Sequence, residues 1–147
     1  MTHMASQKWL LDTNIISYAV RYPHSPVAKR IQQLSLADPQ NLCTSVVVVC
    51  ELQFGITRKG ASSLAAKVDT VLRFIAVKNI ESDVIPHYAT LRTELERQGT
   101  PIGPNDMLIA AHALALGATL VTGDAEFARV PGLQVENWLD EGSLLPS

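Results

Sequence analysis

Apolar residues come in short bursts along this chain, and the spacing within each burst separates strands from helices. "KWLL", ending at Leu11, is a continuous apolar run too short for a helix, and it predicts a buried strand that stops at Asp12. "DTNIISYAV" follows with helical spacing and predicts a helix that Thr13 or Asn14 can cap. "SPVAKRIQQLSL" predicts a second helix, opened by Pro26 and closed by "ADPQN". Further on, "SLAAKVDTVLRFI" suits a helix and "AVKNI" a strand. "SDVIPHYATLRTELERQG" is amphipathic, with Val84, Tyr88, Leu91 and Leu95 on one face and Gly99 and Pro101 at its end.

Two stretches carry a different pattern. In "LCTSVVVVCELQFGITRK" four successive valines favour a strand. A strand limited to "LCTS" with a helix from about Ser45 fits as well, and it gives Glu51 the helical neighbours Val47, Val48, Phe54 and Gly55, an apolar face for a carboxylate. The segment from about Asn105 to Leu116 is apolar on every side apart from Asp106 and His112, so it predicts a helix buried all round. Gly117 ends it, "ATLVT" predicts a strand running into Gly123 and Asp124, "AEFARVPG" a turn or short helix, and "LQVEN" a last strand. Strands separated by helices predict an α/β fold with a mainly parallel sheet in a three-layer sandwich and right-handed crossovers.

Length and composition change this picture little. The 147 residues, 47% hydrophobic and 18% charged, suit a single globular domain over 1–147, with no internal repeat or linker. "MTHM" is set apart, because Met4 could initiate equally well, and residues 1–7 are expected to be a flexible start. No apolar run approaches the roughly 20 residues of a membrane span, and Lys8 and Asp12 come too early for a secretory signal, so a soluble, cytoplasmic protein is expected. Cys43 and Cys50 lack metal-binding spacing and are expected to be reduced core residues.

Charge narrows the chemistry. Twelve basic against fourteen acidic residues give a net charge of −2, which supplies no general attraction for phosphate. Arg58, Lys59, Arg92 and Arg97 are candidates to contact a phosphate backbone, but such cations are more often simply solvated, and they are left off the site. The histidines show no paired spacing, and His112, six residues past Asp106, reads as a hydrogen-bonded core residue.

The acidic residues are more informative. Asp12 and Asp124 both follow short apolar strands, Asp106 opens the buried helix, and parallel strands deliver their C-terminal ends to one ligand-binding edge. Singly, each has an ordinary explanation. Asp12 can be a loop residue before a cap and Asp124 a turn former, Glu51 can pair with Arg58, and a helix N-terminus favours a charge such as that of Asp106 by roughly 0.3–1 kcal/mol. Gathered together, carboxylates repel and raise one another's pKa, a cost that a divalent cation relieves. An all-oxygen donor set suits Mg2+ or Mn2+.

The segments "LLDTNI", "SVVVVCELQFG", "GTPIGPNDMLIAAHA" and "LVTGDAEFARVPGLQVENW", in this order from Trp9 to Trp138, resemble the PIN-domain VapC toxins, the ribonuclease half of bacterial toxin–antitoxin pairs. The resemblance implies a PIN-like α/β/α fold and favours a helix for the valine run. It places the family's acidic, metal-binding and catalytic positions on Asp12, Glu51, Asp106 and Asp124, where relatives often read "TNN" in place of this chain's "TGD". Thr13, Asn14 and Thr122 would orient that cluster. The implied activity is hydrolysis of RNA phosphodiesters by Mg2+- or Mn2+-activated water, leaving 5′-phosphate and 3′-hydroxyl ends. The implied partners are a VapB-type antitoxin, a second copy of the chain in a homodimer, and a tRNA substrate, with initiator tRNA the branch that "GTPIGPND" matches. A non-catalytic PIN-like binding module is the alternative from another class. A haloacid-dehalogenase-like phosphatase would need "DxD" where this chain has "DTN".

Overall fold

The computed structural model describes residues 7–139. Its elements are β1 (Lys8–Leu11), α1 (Thr13–Arg21), α2 (Pro26–Ala37), β2 (Leu42–Ser45), α3 (Val46–Lys59), α4 (Ser62–Leu72), β3 (Ala76–Lys78), α5 (Val84–Gln98), α6 (Pro104–Leu116), β4 (Ala118–Val121) and β5 (Val135–Glu136). Short 3-10 turns stand at Pro39–Asn41 and Ala125–Arg129. The "MTHM" reading lies outside the described residues.

The five strands form one sheet in the order β3-β2-β1-β4-β5, and every neighbouring pair is parallel. The chain moves outward from β1 through β2 to β3, then returns past the start to β4. With right-handed crossovers, that reversal puts the helices of the outward path and those of the return path on opposite faces. α1 packs against α2, α3 and α4, while α5 lies along α6. β1 and β4 meet where the strand order reverses, so their C-terminal ends border the crevice in which open α/β sheets bind ligands.

Burial explains the two unusual stretches. Val48, Leu52 and Ile56 are buried at i, i+4 and i+8, so one stripe of α3 joins the core and outweighs the strand preference of the valines. The β2 strand stops where the Ser45 hydroxyl accepts the Val47 N–H and caps the helix. In α6, Ile109, Ala110, Ala111 and Ala113 are wholly buried, and small alanines let the helix approach both α5 and the sheet. Gly117, at φ 66°, occupies the left-handed conformation that ends α6 and turns the chain directly into β4.

Two expectations need correction. The cap of α1 is Asp12 itself, not Thr13 or Asn14, which lie inside the helix. Cys43 is buried and free, but Cys50 is free and exposed, because it stands on the side of α3 away from the Val48–Leu52–Ile56 stripe. No helix among the described residues is long and apolar enough to cross a membrane.

Candidate active site

Register fixes the first carboxylate. Leu11 pairs with Val121, and one residue later the Asp12 N–H donates to the Val121 carbonyl at 2.9 Å, so Asp12 leaves the sheet beside the end of β4. Its side chain is only 4% exposed. Oδ1 accepts the Thr13 N–H at 2.8 Å, and Oδ2 accepts the Thr122 hydroxyl at 2.7 Å. Burial pushes the Asp12 carboxyl above its ordinary pKa, these two donors pull it back, and the charges of Glu51 and Asp124 raise it further.

Thr122 and Asn14 hold the next segment against Asp12. The Thr122 oxygen accepts the Asp124 N–H at 3.0 Å and the Asn14 amide at 3.4 Å, while Asn14 Oδ1 accepts the Gly123 N–H at 3.1 Å. Asp124 also caps the following 3-10 turn, its Oδ1 accepting the Glu126 N–H at 2.9 Å. The turn-forming reading of Asp124 is therefore compatible with a place at the site. Glu51 reaches in from α3 and accepts the Thr13 hydroxyl at 2.5 Å. Among the described residues it forms no ion pair with Arg58.

Asp106 stands in the first turn of α6. Burial and the fields of Asp12, Asp124, Glu51 and Glu126, in that order, push its carboxyl up to about 6. Burial is the larger cause, and the four neighbouring carboxylates add to it.

Asp12, Glu51, Asp106 and Asp124 all line one cavity of about 700 Å3. The structure thus brings all four sequence-selected carboxylates to one place, and Arg58 is the cation among the described residues of the wall. Lys59, Arg92 and Arg97 lie outside this wall, and the latter two are engaged with Glu96 and Glu94 on α5. His112 is remote from the cavity in role: buried at 1% exposure, its Nδ1 sits 2.8 Å from Ser45 Oγ and ties α6 to the cap of α3.

Thr13, Asn14 and Thr122, expected to orient the cluster, do touch it: Asn14 ties the first turn of α1 to the segment after β4, and Thr13 holds Glu51. Sequence reasoning missed Glu126, which adds to the field at Asp106. Nothing in the spacing of Glu126 marked it.

The donor set fits a divalent cation. Among the described residues no three carboxylate, histidine or cysteine side chains are already drawn into a closed coordination shell. Magnesium commonly keeps several waters and takes one or two carboxylates, so an open wall of four acidic oxygen donors accommodates it without such a shell.

Known proteins resemble this chain over most of its length. The PIN-domain family matches residues 9–133. The ribonuclease VapC2 of Rickettsia felis is 38% identical over 132 residues, covering 88% of this chain and 97% of the relative. This chain belongs to the PIN-domain family, in its VapC branch. Another VapC, the tRNA(fMet)-specific endonuclease of Salmonella typhimurium, is 30% identical over 133 residues, 89% of this chain and 98% of that protein. In the crystal structure of VapBC2 from Rickettsia felis bound to a promoter DNA fragment, the similar chain superposes with a TM-score of 0.82 at 36% identity, covering 90% of this chain and 99% of its own length. PIN-domain ribonucleases are generally dependent on divalent metal ions, in keeping with the acidic wall of this VapC-type cavity.

Proposed function

We propose that this chain is the toxin of a VapBC-type toxin–antitoxin pair, an endoribonuclease acting on tRNA in the cytoplasm, with Mg2+ as its ion and Mn2+ able to substitute. The observation that carries the reading is the convergence of Asp12, Glu51, Asp106 and Asp124 on one cavity at the point where the strand order reverses. The relative named a tRNA(fMet)-specific endonuclease makes initiator tRNA the first substrate to test. Relatives crystallised as VapBC complexes support a VapB-type antitoxin as partner; a homodimer of this chain inside the hetero-oligomer is part of the proposal.

Asp12, Asp106, Glu51 and Asp124 would hold the ion. When bound, a divalent cation lowers the pKa of water and neutralises phosphate charge. Asp12 is preorganised for that task by Thr122 and Thr13, which leave its carboxylate one orientation. Glu51 is held by the hydroxyl of Thr13, the residue next to Asp12. In the net reaction a water oxygen bonds to phosphorus, the bond from phosphorus to the 3′ oxygen breaks, and that oxygen takes a proton. The products carry 5′-phosphate and 3′-hydroxyl ends.

The test is incubation of the purified chain with tRNA and Mg2+, with Asp12→Asn and chelated controls. Cleavage that disappears in both controls supports the reading. Cleavage that persists in Asp12→Asn would contradict it.

A further inference from the structure

A second groove opens from the acidic cavity between α1, α3 and α4. It has a volume of about 610 Å3 and shares Thr13, Ser17, Glu51, Gly55 and Arg58 with the cavity wall, so the two spaces are continuous. Its charge is opposite in sign. Arg21, Arg58, Lys59 and Lys67 line it against the single carboxylate of Glu51. The ion pairs among the described residues are made by Arg30, Arg92, Arg97 and Arg129, so the four groove cations have no carboxylate counter-ion there. In a chain of net charge −2, four such cations in one groove form a local reversal of field.

Next in the chain to Gly55, which lines both spaces, stands Phe54. It lines the acidic cavity, is 64% exposed, and carries the Arg58 guanidinium 5.4 Å from its ring centroid. One turn of α3 separates it from Glu51. An exposed aromatic face beside a cation is the kind of platform on which an unstacked base and its phosphate are held.

We propose that the RNA strand leaves the acidic cavity along the α1–α3–α4 groove, with the base next to the scissile phosphate stacked on Phe54 and the following phosphates held by Arg58, Lys67 and Arg21. This rests on the ribonuclease reading above and adds the path of the strand. An extended strand with one charge per residue matches cations spread along a groove, and it explains why an exposed aromatic residue stands next to Gly55, which both spaces share. The acidic cavity then receives only the phosphate that is to be cut.

Binding of a short labelled single-stranded oligoribonucleotide of mixed sequence is measured in EDTA by fluorescence anisotropy across a salt series. For Arg21→Gln/Arg58→Gln/Lys67→Gln the slope of log affinity against log salt falls by about 2, at roughly 0.7 per lost phosphate contact. Phe54→Leu weakens binding roughly 5- to 100-fold with the slope unchanged, Phe54→Trp restores it, and an abasic spacer in the RNA removes the difference between Phe54 and Leu. Both sets of changes are on exposed positions, and a matching thermal midpoint verifies folding. If the wild-type chain cuts RNA with added Mg2+ while both variants bind with unchanged affinity and slope, the groove assignment is overturned and the groove is left to a protein segment. If the wild-type chain binds with the predicted slopes but never cuts, the ribonuclease reading fails and the strand path stands.

Discussion

Replacing Asp106 by Asn should stabilise the metal-free protein while removing its activity. A carboxyl whose pKa is lifted from 3.8 to about 6 disfavours its ionised form in the folded chain, by about 3 kcal/mol at 1.36 kcal/mol per pH unit. Asp106 is only half-buried, so solvent screening reduces that to roughly 1.5 kcal/mol. The N-terminus of α6 returns about 0.5 kcal/mol to the charged form. About 1 kcal/mol of net gain remains for Asn, worth roughly 2–4 °C in Tm for a chain of this size. The sign depends on pH. Because the folded chain protonates Asp106 more readily than the unfolded chain does, its contribution favours the fold below pH 3.8 and is lost as pH rises to about 6.

Thermal unfolding in EDTA at pH 7.5 should therefore place Asp106→Asn above the wild type, with the gap closing towards pH 4. Saturating Mg2+ should reverse the ranking, since an ion at a hundred times its Kd stabilises the wild type by about 2.7 kcal/mol and the variant binds it weakly. A variant equal to or less stable than the wild type in EDTA at pH 7.5 would refute the account of charge crowding. An unchanged ranking in Mg2+ would refute the placement of the ion.

Thr122→Val removes the hydroxyl that fixes Asp12 and receives the Asp124 N–H, and kcat should fall roughly 10–100-fold with a stability loss of about 1–3 kcal/mol, read by initial rates and urea unfolding. Thr13→Val should free Glu51 and weaken Mg2+ binding by calorimetry while leaving the fold intact, since Thr13 is only partly buried. Mg2+ affinity should decline as pH falls through about 6, where Asp106 takes up its proton in the metal-free chain, a trend that calorimetry between pH 7.5 and 5 would expose. Asn14→Ala should lower activity by loosening the tie between the first turn of α1 and the segment after β4, with Mg2+ restoring it only at higher concentration.

The sheet and its helices were legible because periodicity and breakers agreed: Gly99, Gly117 and Pro26 fall where helices end or begin. The valine run was not settled by local propensity, because the burial of Val48, Leu52 and Ile56 against the rest of the core decides it. The Asp12, Asp106 and Asp124 positions could be placed on one sheet edge from their position after strands or before a helix, but their common cavity required knowing that β1 and β4 are neighbours. Cys50 was misplaced because apolar sequence neighbours on a helix point to different faces. Thr13 and Asn14 were expected to cap α1 and to orient the cluster; their actual long-range partners, Glu51, Thr122 and Gly123, are invisible in a local window.

The central claim is that the acidic cavity cuts RNA with a divalent ion, and end-mapped cleavage of total tRNA tests it most directly. Wild-type chain in Mg2+ is compared with the same chain in EDTA and with an identically purified Asp12→Asn variant. The account predicts discrete cuts with 5′-phosphate and 3′-hydroxyl ends that vanish in both controls. Cuts that survive EDTA, or that end in a 2′,3′-cyclic phosphate, would contradict it.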